Sequence, residues 1–223
     1  MIADWRRKFA LPSLLFLFVQ LAAFHDDYSE IRAAQLAALA LPHVGFATAI
    51  DLGDPTSPYD PIHPRRKQEV GRRLALTCQR LQYQMDVLPL GPAVAKVVLG
   101  GDNVSVSIAF EPPTARGLHL VGGAGCSECC FVSPIELQLS ESGNWTRTDP
   151  ASLVIANGTL HTRLPAGVVG TALPLGVRFD WEGFPQCVLL NGEGGPDDHK
   201  GLAAPPFKWI HLPGSRMREL QPL

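Results

Sequence analysis

The chain changes its hydrophobic rhythm about two fifths of the way along. Its first part carries long apolar runs separated by amphipathic stretches. A run from Phe9 to Phe24, with Pro12 near its start and Gln20 near its end, reads as a buried parallel strand over residues 13–19, because such strands are apolar on both faces. Residues 2–9 read as the end of a helix with Trp5 packed inward. Asp26 or Asp27 caps a second helix from about Tyr28 to Leu39, in which Ile31, Gln35, Leu36 and Leu39 share a face and Pro42 ends the run. His43 to Ile50 is a second strand. A strand–helix–strand unit of this kind is right-handed and parallel. Residues 65–83 form a third helix with Val70, Leu74, Cys78 and Leu81 on one face. Arg65, Arg66, Lys67, Arg72, Arg73 and Arg80 cover the rest as a solvated surface.

From Leu88 the period shortens to two. Val104, Val106, Ile108 and Phe110 alternate with Ser and Ala, as a half-buried strand does. Similar short runs recur at 94–99, 118–121, 135–140, 152–155, 159–164, 173–180 and 187–190. Asp102-Asn103 and Asn157-Gly158 supply turns, the second a strong hairpin signal. The pattern predicts an α/β segment over 1–86, an all-β sandwich over 87–212 and a loose tail over 213–223, in a chain of 223 residues. Residues 1–85 are expected to be poorly stable alone, and 88–212 to fold by themselves, if the sheet of the first part is left with an unpaired edge and exposed apolar surface.

Between the second strand and the third helix lies Asp51-Leu-Gly-Asp54-Pro-Thr-Ser57-Pro-Tyr-Asp60-Pro-Ile-His63-Pro-Arg-Arg-Lys67, with three carboxylates, one imidazole and four prolines. A stiff loop at the C-terminal end of a parallel strand is where open α/β sheets bind ligands. Histidine is the commonest general base and needs a partner to set its tautomer. His63 is the candidate base, Asp60 the candidate orienter, with Asp51 and Asp54 as rivals that also suit capping and turn formation.

The net charge of −2 sets up no field for nucleic acid. No aromatic residues interleave the arginines of the third helix, which argues the same way. Of five cysteines, Cys78 falls in phase with a helix face and reads as a buried thiol. Cys126, Cys129, Cys130 and Cys187 are disulfide candidates; a metal knuckle lacks a second ligand pair at suitable spacing, so no metal is expected. Three of the four asparagines, Asn103, Asn144 and Asn157, head N-glycosylation sequons. Together these favour a secreted or lysosomal protein. The N-terminal apolar run, behind Trp5-Arg-Arg-Lys8, also has the charged-then-apolar layout of a signal peptide and is short for a membrane span; the buried strand is the preferred reading.

Asp51-Leu-Gly-Asp-Pro, Ile62-His-Pro and Lys67-Gln-Glu-Val-Gly-Arg-Arg-Leu-Ala75 resemble the sialate O-acetylesterase family, SGNH-type hydrolases. So do Asp4-Trp-Arg6, Val19-Gln-Leu21 and Ile31-Arg-Ala-Ala-Gln35 upstream, and Phe179-Asp-Trp181, Leu189-Leu-Asn191 and Gly201-Leu-Ala-Ala-Pro-Pro-Phe207 downstream. The resemblance is to the C-terminal part of such enzymes. It implies part of an SGNH-like doubly wound parallel sheet followed by the sandwich. It implies Ser-His-Asp hydrolysis of O-acetyl esters on sialic acid or another acetylated glycan, with no cofactor, and His63 as base. Arg65 or Arg66 and Gln20 are candidate substrate contacts, while Trp181 and Phe207 are expected in the core.

A nucleophile is missing from the pattern. Only Ser13, Ser29 and Ser57 precede His63, and none sits in a strand-to-helix elbow. Gly125-Cys126-Ser127 falls in the β-rich part. The chain alone is therefore expected to be inactive, its nucleophile supplied by a preceding half. The alternative is a catalytically inactive carbohydrate-binding or interaction protein.

Overall fold

The computed structural model describes residues 1–102, 104–122, 131–139, 144–168, 174–192, 201–210 and 221–222. Its first part opens with helix α1 (Ile2–Lys8), strand β1 (Phe16–Gln20) and helix α2 (Ser29–Leu36), the last extended by a 3₁₀ turn, Ala37–Ala40. Strand β2 (Val44–Thr48) and helix α3 (Lys67–Gln82) complete it. The apolar N-terminal run is thus a strand. β1 and β2 pair in parallel, Phe16 opposite Val44 through Gln20 opposite Thr48. β2 is buried throughout, whereas four of the five residues of β1 are half-exposed and β2 is its one strand partner among the described residues.

The inward-facing residues of the three helices are not the apolar ones the pattern singled out. In α1 Ile2 and Arg6 are buried, while Trp5 is 44% exposed and only leans on Phe16, ring centroids 5.8 Å apart. The Arg6 guanidinium donates to the carbonyls of Leu14, Pro42 and His43 at the starts of both strands. In α2 the buried residues are Ser29 and Arg32, with Ile31 49% exposed. Asp27 caps this helix, accepting from the Ser29 N–H at 2.9 Å. In α3 Arg73 and Thr77 face the sheet, and Arg73 is buried rather than solvated. Thr77 donates to the Phe46 carbonyl at 3.0 Å. Gly45 makes this close contact possible: a Cβ there would come within 2.5 Å of the Thr77 methyl.

The second part begins with β3 (Val94–Leu99), β4 (Ser105–Phe110) and β5 (His119–Gly122). It continues with β6 (Ile135–Gln138), β7 (Trp145–Arg147), β8 (Val154–Ala156) and β9 (Thr159–Arg163). β10 (Gly176–Phe179), β11 (Cys187–Leu190), β12 (Phe207–Ile210) and β13 (Gln221–Pro222) follow. A four-stranded sheet runs β3-β4-β9-β8, a five-stranded sheet β13-β12-β10-β6-β7, and β11 pairs with β5. Both larger sheets send residues into one core: Val97, Val106, Ile108 and Leu160 from the first, Ile135, Leu137, Val177 and Phe179 from the second. The alternation read along 104–110 is real, with Val106, Ile108 and Phe110 buried between half-exposed neighbours. Asn157-Gly158 closes the β8–β9 hairpin with both residues at positive φ, 51° and 70°, as a type I′ turn requires. The short strands β7, β12 and β13 escaped the pattern; Gln221 and Pro222 of β13 pair with Ile210 and Trp209 of β12, while residues 213–220 and 223 of the expected loose tail lie outside the described residues.

The two parts meet along a stitched boundary. Ile50, just beyond β2, packs in one apolar cluster with Val121, Val188, Leu190 and Ala203. Gly91 lies so close to the Ala203 carbonyl that a Cβ would fall 2.0 Å from its oxygen. Asn191 donates to the Leu90 and Thr114 carbonyls and accepts from the Leu202 N–H. The 179–181, 189–191 and 201–207 motifs therefore converge on this boundary. Trp181 is buried, and Phe207 stacks on Phe179 at 5.3 Å between ring centroids, both packed as expected.

Candidate active site

Two loops leave the C-terminal ends of β1 and β2 and lie side by side. The first is residues 21–28 and the second is residues 49–66, which carries His63. Their approach is fixed at Gly53, where a Cβ would stand 2.7 Å from both the Cβ and the carbonyl oxygen of Ala23. The base of the second loop is held by Asp51, whose two oxygens take Arg73 Nη1 and Nη2 at 2.6 and 2.7 Å. Arg73 also donates to the Thr48 carbonyl and to Glu69, and both members of the Arg73–Asp51 pair are almost fully buried. Burial works against the Arg73 charge, but Asp51 and Glu69 outweigh it and raise its pKa.

Further out, Asp54 grips Arg65 in a fork, 2.6 Å to Nε and 2.8 Å to Nη2, and accepts from its backbone N–H at 3.2 Å. The Arg65 hydrogen bond holds the Asp54 carboxyl down to about 2. This clasp spans the loop from Asp54 to Arg65, just before α3 starts at Lys67. Arg65, a candidate substrate contact, is thus committed to Asp54.

His63 is exposed at the loop's outer turn. Its N–H donates to the Asp60 carbonyl at 2.9 Å, and its carbonyl accepts from the Ser57 hydroxyl at 2.7 Å. The loop therefore orients His63 through its backbone. Asp60 sits at φ 78°, and its Oδ1 accepts from the Ile62 N–H at 3.1 Å. Among the described residues no hydrogen bond joins the Asp60 carboxylate to the His63 ring, and none joins that ring to a serine.

The first loop is held mainly by Arg32, whose importance the sequence reading missed. Fully buried, it donates from Nε to the Leu21 carbonyl, from Nη2 to those of Ala22 and Gly183, and from Nη1 to that of Glu182. One guanidinium so ties the loop after β1 to the segment after β10. The Phe24 N–H adds a bond to the Gly183 carbonyl at 3.0 Å, and Gly183 lies where a Cβ would meet the Phe24 and Asp26 carbonyls at 2.6 Å. Gln20, also proposed as a substrate contact, is fully buried; its Nε2 donates to the Arg32 carbonyl at 3.1 Å and its Oε1 has no partner among the described residues. Near Arg32, Asp180 is fully buried with neither carboxylate oxygen hydrogen-bonded, at φ 48°. Burial and then the Glu182 charge push its carboxyl well above the usual range.

Between the two loops is an apolar cleft of about 100 Å³ lined by Leu21 to Phe24, Tyr28, Pro61, Ile62 and Pro64. Among the described residues no cluster of histidine, cysteine and carboxylate side chains could hold a metal, and no helix is long and apolar enough to cross a membrane. Asn144 and Asn157 are exposed; Asn103, Cys126, Cys129 and Cys130 lie outside the described residues. Cys187 is buried and disulfide-bonded, and Cys78 is a free, half-buried thiol.

No family model matches the chain. It is similar to the sialate O-acetylesterase of Homo sapiens, 26% identical over 239 residues, which covers 93% of this chain and 40% of the relative. It is also similar to that of Mus musculus, 33% identical over 131 residues, or 50% of this chain and 24% of the relative. The chain thus spans about two fifths of the human relative's length. Among solved structures it superposes on a carbohydrate acetylesterase from Xanthomonas citri with a TM-score of 0.68 and 23% identity, over 93% of this chain and 44% of that one. At that identity the match speaks for the fold. The resemblance to the sialate O-acetylesterase family, first read from scattered motifs, holds along nearly the whole chain.

Proposed function

We propose, for a chain that resembles the sialate O-acetylesterases along nearly all its length, that it is the histidine-bearing part of an esterase acting on O-acetylated sialic acids or related acetylated glycans. The observation that carries this reading is His63, presented on a clasped loop beyond β2, at the sheet edge where α/β enzymes do their chemistry. β1 and β2 are then part of an SGNH-like sheet, continued past β1 by strands from a nucleophile-bearing segment. In the assembled enzyme the His63 ring takes the proton of an attacking serine hydroxyl and returns it to the departing sugar oxygen. Asp60 is the proposed orienter of the ring. Its Oδ1 accepts from the Ile62 N–H, which leaves Oδ2 as the oxygen to meet the ring. The exposed Asn144 and Asn157 and the disulfide at Cys187 support a secreted or lysosomal setting.

The test is a chimera in which this chain replaces the matching stretch of the human relative. It is expected to release acetate from O-acetylated sialic acid, and His63→Ala is expected to lower the rate by about 10³-fold or more. A folded but inactive chimera, or one indifferent to His63→Ala, overturns the assignment. The isolated chain is expected not to hydrolyse 4-nitrophenyl acetate; turnover abolished by His63→Ala would show it is self-sufficient.

A further inference from the structure

Building on the esterase reading, we propose that the apolar cleft between the two loops receives the carbon-rich face of the sugar, the leaving-group half of the ester. Ile62 and Pro64, the residues on either side of His63, line this cleft. A histidine in acyl transfer delivers its proton to the departing alcohol oxygen. The group that carries that oxygen therefore rests against the histidine, and the wall next to His63 is a wall for the sugar.

The chemistry of the lining agrees. No charged side chain contributes to it. Phe24 and Tyr28 stack at 5.8 Å with their planes 3° apart, giving it an aromatic side. Such a surface takes the C–H face of a ring or an N-acyl methyl and offers nothing to a free carboxylate. With about 100 Å³ available, the cleft accommodates part of a sugar and leaves its charged end outside.

The cleft is also built in advance. Arg32 fixes the Leu21 and Ala22 carbonyls, Gly53 sets the separation from the His63 loop at Ala23, and Gly183 pins Phe24. These contacts, joined where Arg32 and the Phe24 N–H share the Gly183 carbonyl, hold one wall, which reduces the ordering cost of binding.

Saturation-transfer NMR on the full chain tests this, with N-acetylneuraminic acid and sodium acetate as separate probes. Saturation is expected to reach the sugar protons and not acetate. The sugar signal should fall at least tenfold in Ile62→Trp, which fills the cleft from an exposed position, and in Tyr28→Ala, which removes its aromatic side. Melting curves matched to the parent certify the fold of both variants. Transfer to acetate alone, sugar transfer that survives both substitutions, or no transfer to the intact chain each overturns the proposal. Each of those results leaves the esterase assignment standing if the chimera is active. An inactive chimera beside a sugar signal lost in Ile62→Trp has the opposite meaning: the cleft is a sugar site and the enzyme reading fails.

Discussion

At the residue scale the molecule depends on buried charges that the sequence conceals. Arg73 sits in a helix whose arginines read as a solvated surface, yet it closes a buried fork with Asp51. Removing one member of such a pair leaves the other charged and unpaired in the interior. Arg73→Ala is expected to cost about 3–5 kcal/mol in urea denaturation. Arg32 supports four carbonyls, so Arg32→Leu is expected to cost at least as much and to speed hydrogen exchange selectively around 21–24 and 182–183. Asp180 acts in the other direction. Its carboxyl ionises near pH 4 in the unfolded chain but keeps its proton to higher pH in the fold. The stability tied to this group is therefore complete below about pH 4 and is lost as pH rises toward the folded pKa. Asp180→Asn should raise the urea midpoint at pH 8 and converge with the parent at pH 4; equal gains at both values would refute the assignment. None of these roles was legible, because a lone Arg or Asp carries no periodicity and its partners are backbone oxygens or distant side chains.

At the element scale, legibility followed burial on one face. β4 alternates cleanly because one side meets the core and the other does not, and the β8–β9 turn is marked by Asn-Gly. β7 and β12 are only three and four residues of half-buried chain, too short for a period to emerge. The helix faces were misjudged at Trp5, Ile31 and Leu81 for a different reason. These residues are 44%, 49% and 42% exposed, although Trp5 leans on Phe16 and Leu81 reaches Gly45 of β2, because Arg6, Arg32 and Arg73 take the inward positions of the same helices. Hydrophobic phase marks a face to be covered, not the element that covers it. The packing of α3 on β2 is meanwhile sharp enough to predict from. Gly45→Ala should destabilise by about 1–3 kcal/mol, and Leu81→Ala, which clears the second nearby atom, should recover part of the loss.

For the whole molecule, the two parts are unequal. Among the described residues the larger core draws on positions from Val94 to Trp209, all in the second part, whereas Ile50 and the first loop rely on contacts from the second part. A fragment of residues 88–223 is expected to keep a cooperative melt and slow exchange at Ile108 and Phe179. A fragment of residues 1–87 is expected to show neither. Limited proteolysis of the intact chain that trims the β-rich part first would contradict this ordering. The candidate site was legible in the sequence as far as His63 and its loop. The second wall of the cleft was not, since it depends on Arg32, Gly53 and Gly183 meeting across a distance in sequence that no local motif records.

Arg6 and Arg32 share a property with an evolutionary meaning. Both hold their loops by carbonyl oxygens, which every residue carries, so the clamps do not depend on which side chains those loops display. Leu21, Ala22, Glu182 and the residues before each strand can drift while the frame stays in place, provided loop length is kept. Lineages that inherit the two arginines can therefore recast the cleft wall one side chain at a time without rebuilding the scaffold beneath it.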